Sequence, residues 1–277
     1  MKKLLLAIDA EKPDLQSLEF GIYLTRLTGS SLTGLFLENL PDLQPGVKLA
    51  YGSAYVETIG AEAEPETTFK EKVTNENIRK FKAACETQDV SYQVHRDKGV
   101  PLEELIAESR YADLMISESR LFAASPLETP AGTVKSLLVK SECPVIVAPY
   151  HTQPINKILF AFDGSPSALF AIKQFTYLFP ELGGTDITVL QADKEAVFSE
   201  EGKEKLYGYL KHHYSHINFR DLRGNPKNEL FDYCLRERNA LLIMGAYGRS
   251  WLSSLLWTST AELILKLNNL PVFITHW

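Results

Sequence analysis

Cysteine is scarce. The chain has three, Cys85, Cys143 and Cys234, far apart and without a C-x-x-C pair. That pattern argues against a disulfide framework or a zinc site and fits buried thiols in a reducing compartment. Positive charge is not in excess either: 29 Lys and Arg stand against 35 Asp and Glu, a net charge of −6. With no basic cluster woven through aromatics, a nucleic-acid partner is not expected. No apolar run reaches the roughly 20 residues that span a bilayer, so no membrane role is expected. The opening "MKKLLLAIDA" begins like a signal peptide, but its apolar run stops at Asp9 and reads as a first strand. The expected location is the cytoplasm. A G-x-S-x-G nucleophile elbow is missing. A lysine-bearing P-loop is missing too, since Arg249-Ser250 follow Gly248 at the wrong spacing. With no general base or metal-ligand set to be read, the expectation is a protein that is not an enzyme.

What is present is written twice, in the same order. "KLLLAID" (3–9) recurs as "KILFAFD" (157–163), each followed by a polar turn and a helix-period segment. "VHRDKGVPLEELI" (94–106) is echoed by "NFRDLRGNPKNELF" (218–231). "ADLMIS" (112–117) is echoed by "NALLIMG" (239–245), and "CPVIVAPY" (143–150) by "LPVFITHW" (270–277). A chain of 277 residues suits two domains. The expected division is 1–150 and 151–277, with "HTQPIN" (151–156) as the linker. In the second half the pattern predicts strands near 157–162, 186–191, 216–220, 240–244 and 271–275. Helices are expected near 166–179, 200–213, 226–237 and 259–268. Apolar strands alternating with amphipathic helices predict an α/β fold with a parallel sheet covered on both faces. Ligands bind such sheets at the carboxyl ends of the strands, where strand order reverses. Residues 40–69 have no counterpart in the second half. They read as a long connection with a small hairpin, serving as filler or contact surface.

The second half carries the candidate site. Asp163 closes the first strand, where its carboxylate can accept from a ribose hydroxyl or an adenine amine. Asp163-Gly-Ser165-Pro is equally strong turn chemistry, with Ser165 or Ser167 as the helix cap. Gly245 and Gly248 bracket the turn after the fourth strand, where glycine lets backbone N–H groups approach an anion. Arg249 and Ser250 add a cation and a hydroxyl, although a solvated surface arginine accounts for Arg249 as well. Ser259-x-x-Glu262 opens the next helix. It reads either as a capping box or as a phosphate-binding helix start, and the two compete for the same N–H groups. "KHHYSHINF" places His212 and His216 four apart beside His213, a zinc spacing on a helix but more simply a solvated helix end.

Taken together these residues resemble the universal stress protein family in its tandem two-domain form. Asp163-Gly-Ser165, Gly245-x-x-Gly248, the Arg249-Ser250 and Leu252-Ser253 loop, Thr258-Ser259 and the closing Pro271-Val272 carry the resemblance. It covers nearly the whole chain. It implies two Rossmann-like domains of the adenine nucleotide alpha hydrolase kind, each a five-stranded parallel sheet of order 3-2-1-4-5. It also implies that the two last strands, Pro144–Pro149 and Pro271–Thr275, pair within the chain as a pseudo-dimer, with a further homodimer as an added possibility. In family members that bind nucleotide, matching positions hold ATP. Asp163 would face the nucleoside, Met244 would flank the adenine and Gln191 would lie near it, while Gly245, Gly248 and Ser259 would hold phosphates. Two positions depart from the pattern: Thr258 replaces the third glycine, and Trp251 stands where a small residue is usual. The first half keeps Asp9 and Gly132-Thr133, but runs Ser117-Glu118-Ser119-Arg120-Leu121 where the glycines belong, and Glu118 would repel a phosphate. The expected function is a stress-response sensor or regulator that binds ATP or another adenine nucleotide in its second domain. The alternatives are a nucleotide-free interaction module, and an adenine-nucleotide enzyme whose catalytic residue the sequence does not reveal.

Overall fold

The computed structural model describes residues 1–39, 64–123, 131–192, 200–245 and 269–275. In the first half β1 (Lys3–Asp9), α1 (Leu15–Thr28), β2 (Ser31–Asn39), α2 (Glu64–Thr87) and β3 (Tyr92–Gly99) come first. α3 (Pro101–Ser109), β4 (Leu114–Ser117), α4 (Gly132–Lys140) and β5 (Val145–Val147) complete it. The second half repeats the order with β6 (Lys157–Phe162), α5 (Pro166–Leu178), β7 (Asp186–Ala192), α6 (Glu200–Leu210) and β8 (Ile217–Leu222). α7 (Pro226–Arg236), β9 (Ala240–Gly245) and β10 (Val272–Thr275) follow. The helix expected at 259–268 lies outside the described residues.

The repeated apolar runs become strands at the centre of each half. Leu4, Leu5 and Leu6 of β1 are fully buried, as are Ile158, Leu159 and Phe160 of β6. A strand buried on both faces needs apolar residues at successive positions, which is why neither run alternates. Helix starts follow local rules. Asp14 caps α1 by accepting from the Ser17 N–H, Ser165 caps α5, and Pro101 and Pro166 sit in first turns where no N–H is needed.

The strands form one ten-stranded sheet of order β3-β2-β1-β4-β5-β10-β9-β6-β7-β8. Each half is therefore a parallel five-stranded unit of order 3-2-1-4-5, as expected. The halves meet where β10 runs antiparallel to β5, with Val272 opposite Val147 and Phe273 opposite Ile146. Both last strands thereby lose the open edge that would invite pairing with another chain. Two cores flank the sheet, and each runs through both halves. One lies under α1, α2, α5 and α6, the other under α3, α4 and α7. At the junction Phe273 of β10 packs edge-on to Phe175 of α5, ring centres 5.4 Å apart, and Phe175 stacks on Phe179 at 4.8 Å.

Two expectations are revised. Residues 64–69, read as part of a connection, are the opening of α2, and residues 40–63 lie outside the described residues. The helix expected to reach 213 stops at Leu210. The chain turns there because Tyr214 is drawn into the core, its hydroxyl 3.1 Å from that of Thr176.

Candidate functional site

The strand registers locate a crevice. β6 pairs with β9 from Lys157↔Ala240 to Phe160↔Ile243 and no further. Beyond that point Ala161 and Phe162 pair with β7 alone, while Met244 and Gly245 pair with β10 alone. The central strands thus part at their carboxyl ends, at the position where strand order reverses. The first half repeats this: β1 and β4 pair only as far as Leu6↔Ile116, while β1 stays paired with β2 to Asp9↔Leu37.

Asp163 stands on the β6 rim, one residue past the strand. Its Oδ1 accepts from the Ser165 N–H at 2.9 Å, across a turn in which Gly164 takes φ +78°. Ser165 Oγ accepts from the Ala168 N–H at 3.1 Å. The turn and the cap are therefore both formed, and of the two cap candidates Ser165 is the one that caps α5. Gln191, near the end of β7, is buried at 8 % exposure in register with Phe162 and Asp221.

On the β9 rim Gly245 has a structural requirement of its own. A Cβ there would lie 2.6 Å from Ser167 Oγ and 2.7 Å from the Ser167 carbonyl carbon and oxygen. β9 and the first turn of α5 touch too closely for any side chain. Met244 is buried in the core under α7, beside strand partner Ile274. Gly248, Arg249, Ser250, Trp251, Thr258 and Ser259 lie outside the described residues. The structure thus places Asp163, Ser165 and Gly245 around one parting of strands, sets Gln191 on the neighbouring strand, and puts Met244 in the core.

The same place in the first half is built differently. Asp9 Oδ1 accepts from the Glu11 and Lys12 N–H groups at 2.9 and 3.1 Å. Glu118 follows β4 directly. Burial pushes its carboxyl up to about 8, Asp14 and Asp9 push in the same direction, and Arg120 opposes them. Past Glu118 the loop folds inward: Ser119, Leu121 and Ala131 are buried, and the Ala131 N–H donates to the Ser119 carbonyl at 2.9 Å. Gly132 opens α4, whose start has no side-chain cap. A partly buried carboxyl and inward-turned side chains thus stand directly behind β4 in this half. Glu118 is legible in the sequence, whereas Asp14 carries no signal there beyond its place one residue ahead of a helix.

The histidines do not converge. His213 packs against the rings of Tyr177 and Tyr209, and His216 faces Asp186 at 3.5 Å. Among the described residues no group of three or more His, Cys, Asp or Glu could hold a metal ion. Nor is any described helix long and apolar enough to cross a membrane.

Solved structures share this architecture. A universal stress protein from Archaeoglobus fulgidus aligns over 99 % of this chain and 96 % of its own, with TM-score 0.69 and 16 % identity. A putative universal stress protein from Pseudomonas aeruginosa aligns over 100 % and 93 %, with TM-score 0.59 and 16 % identity. A functionally unknown protein from Pseudomonas aeruginosa aligns over 100 % and 92 %, with TM-score 0.57 and 14 % identity. No protein-family model and no curated protein matches the chain. The chain has the universal stress protein fold; at these identities the likeness speaks for the fold alone.

Proposed function

We propose that this chain is a tandem universal stress protein, with domains 1–150 and 151–277, that works as a stress-response sensor or regulator. Its second domain would bind an adenine nucleotide, ATP among them, and hydrolysis is no part of the proposal. One observation carries the reading: β6 and β9 part at the point of strand reversal, with Asp163 and Gly245 on the two rims. The first domain would serve as structural support, since Ser117-Glu118-Ser119-Arg120-Leu121 stands where the glycines belong and Ser119 and Leu121 turn into the core. Three buried, unbridged cysteines support a cytoplasmic setting.

A nucleotide-free interaction module is the second reading. In its favour, the turn accounts for Asp163, the cap for Ser165, helix contact for Gly245 and the core for Met244, none of them needing a ligand. Calorimetric titration with ATP, ADP and AMP separates the two. Binding in the second domain should be lost in Gly248→Glu. Absence of heat up to about millimolar nucleotide removes the sensor reading, and binding that survives Gly248→Glu puts the ligand elsewhere.

A further inference from the structure

α1, α2, α5 and α6 lie on one face of the sheet, since their buried residues belong to a single core. On that face the two halves differ at corresponding positions. Thr25 and Thr176 fix the correspondence: each is buried and donates its hydroxyl at 2.7 Å to the carbonyl four residues earlier. The next residue is Arg26 in one half and Tyr177 in the other. Arg26 donates to Gln88, one residue past α2, at 3.0 Å, while Tyr177 meets His213 edge-on, ring centres 6.1 Å apart. α2 offers the small side chains Ala83, Ala84 and Thr87 here, whereas α6 offers Tyr209, its ring tilted against that of His213 with centres 5.0 Å apart. The first half is left with a groove of about 880 Å³ between α1 and α2. The second half has an aromatic ridge on which Tyr177 is 59 % exposed.

We propose that a second copy of this chain seats its ridge in this groove, and that the docking is reciprocal. Groove and ridge share a face, so a two-fold axis parallel to the sheet sets each groove opposite the partner copy's ridge and closes the pair as a dimer. The second half shows what fits: aromatic rings fill the place that Ala83 and Ala84 leave open. Charge matches as well. Glu19 and Arg26 both line the groove on α1. Lys173, one helical turn before Tyr177 on α5, is exposed. The Tyr177 ring of one copy covers the Arg26 guanidinium of the other, and Lys173 meets Glu19. A molecule cannot fill its own groove, because both features are fixed to one sheet. This interface is independent of nucleotide binding.

Sedimentation equilibrium of the full chain tests it. Wild type should dimerise. Ala84→Trp, which fills the groove, and Tyr177→Ala, which removes the ridge, should each raise the dimer dissociation constant by at least about tenfold. An equimolar mixture of the two variants regains one of the two contacts, so it should form a heterodimer tighter than either homodimer. Glu19→Lys and Lys173→Glu change exposed side chains and leave the fold intact. Each alone should weaken the dimer, and the double variant should recover it. The proposal is overturned by a wild type that stays monomeric up to about 1 mM, by a dimer that none of these changes weakens, or by failure of both the mixture and the double variant to recover association.

Discussion

Replacing Glu118 by Gln should change how the stability of this protein depends on pH. Glu118 is only partly exposed at the end of β4, and its carboxyl is pushed from the ordinary 4.5 to about 8, chiefly by burial and then by Asp14 and Asp9. The folded chain therefore keeps a proton that the unfolded chain releases. For a carboxyl raised in this way, the stabilising contribution is fully present below 4.5 and drains away as pH rises through 8. Each tenfold change in proton affinity is worth about 1.4 kcal/mol, which sets a ceiling of about 5 kcal/mol on the loss. Because the side chain keeps some contact with water, about 2 kcal/mol is the expected size. Glutamine has the same shape and no proton to lose. Urea unfolding of both proteins between about pH 5 and pH 9 should show the variant gaining on wild type by that amount as pH rises. Asp14→Asn should shrink the gain while preserving the cap on α1, since asparagine caps as well as aspartate. Parallel stability curves for wild type and Glu118→Gln would refute the reasoning.

Gly245→Ala should destabilise the fold by about 1–3 kcal/mol with or without nucleotide, because the new Cβ meets the backbone of Ser167 at 2.7 Å; thermal melts with and without ATP check this. Thr258→Gly should tighten nucleotide binding in calorimetry if the threonine narrows a phosphate loop, and an unchanged affinity counts against that role. Phe273→Ala should cost about 3–5 kcal/mol in denaturant unfolding, since it opens a cavity beside Phe175 and Phe179 at the junction of the halves.

The central strands were legible because burial on both faces writes an unbroken apolar run, and "KLLLAID" and "KILFAFD" can be read without neighbours. Ser165 and Pro166 were legible for the same local reason, as a cap and a first helical turn. Gly245 was legible as a glycine but not in its structural cause. Its neighbour across the gap is Ser167, on an element far away in sequence, and only the packed fold brings them together. Asp14 joined Glu118 and Asp9 in the same way, through contacts that no spacing records. The early end of α6 depends on Tyr214 reaching Thr176, again a tertiary event. Local chemistry thus announces elements and caps, while the electrostatics of the crevice come from residues that meet only after folding.

The junction accounts for how one half can lose its loop chemistry and the fold persist. In a lone five-stranded unit the last strand would keep an open edge. Here β5 supplies that edge to β10, and both cores run unbroken beneath the seam. What the first half contributes is its strands and helices, not its loops. A carboxyl group held near neutrality and a buried turn are therefore tolerated at the carboxyl ends of β1 and β4, provided Ile146 and Val147 still meet Phe273 and Val272. Changes at those four positions should weaken both halves together, whereas changes at Glu118 or Leu121 should register first in the half that contains them.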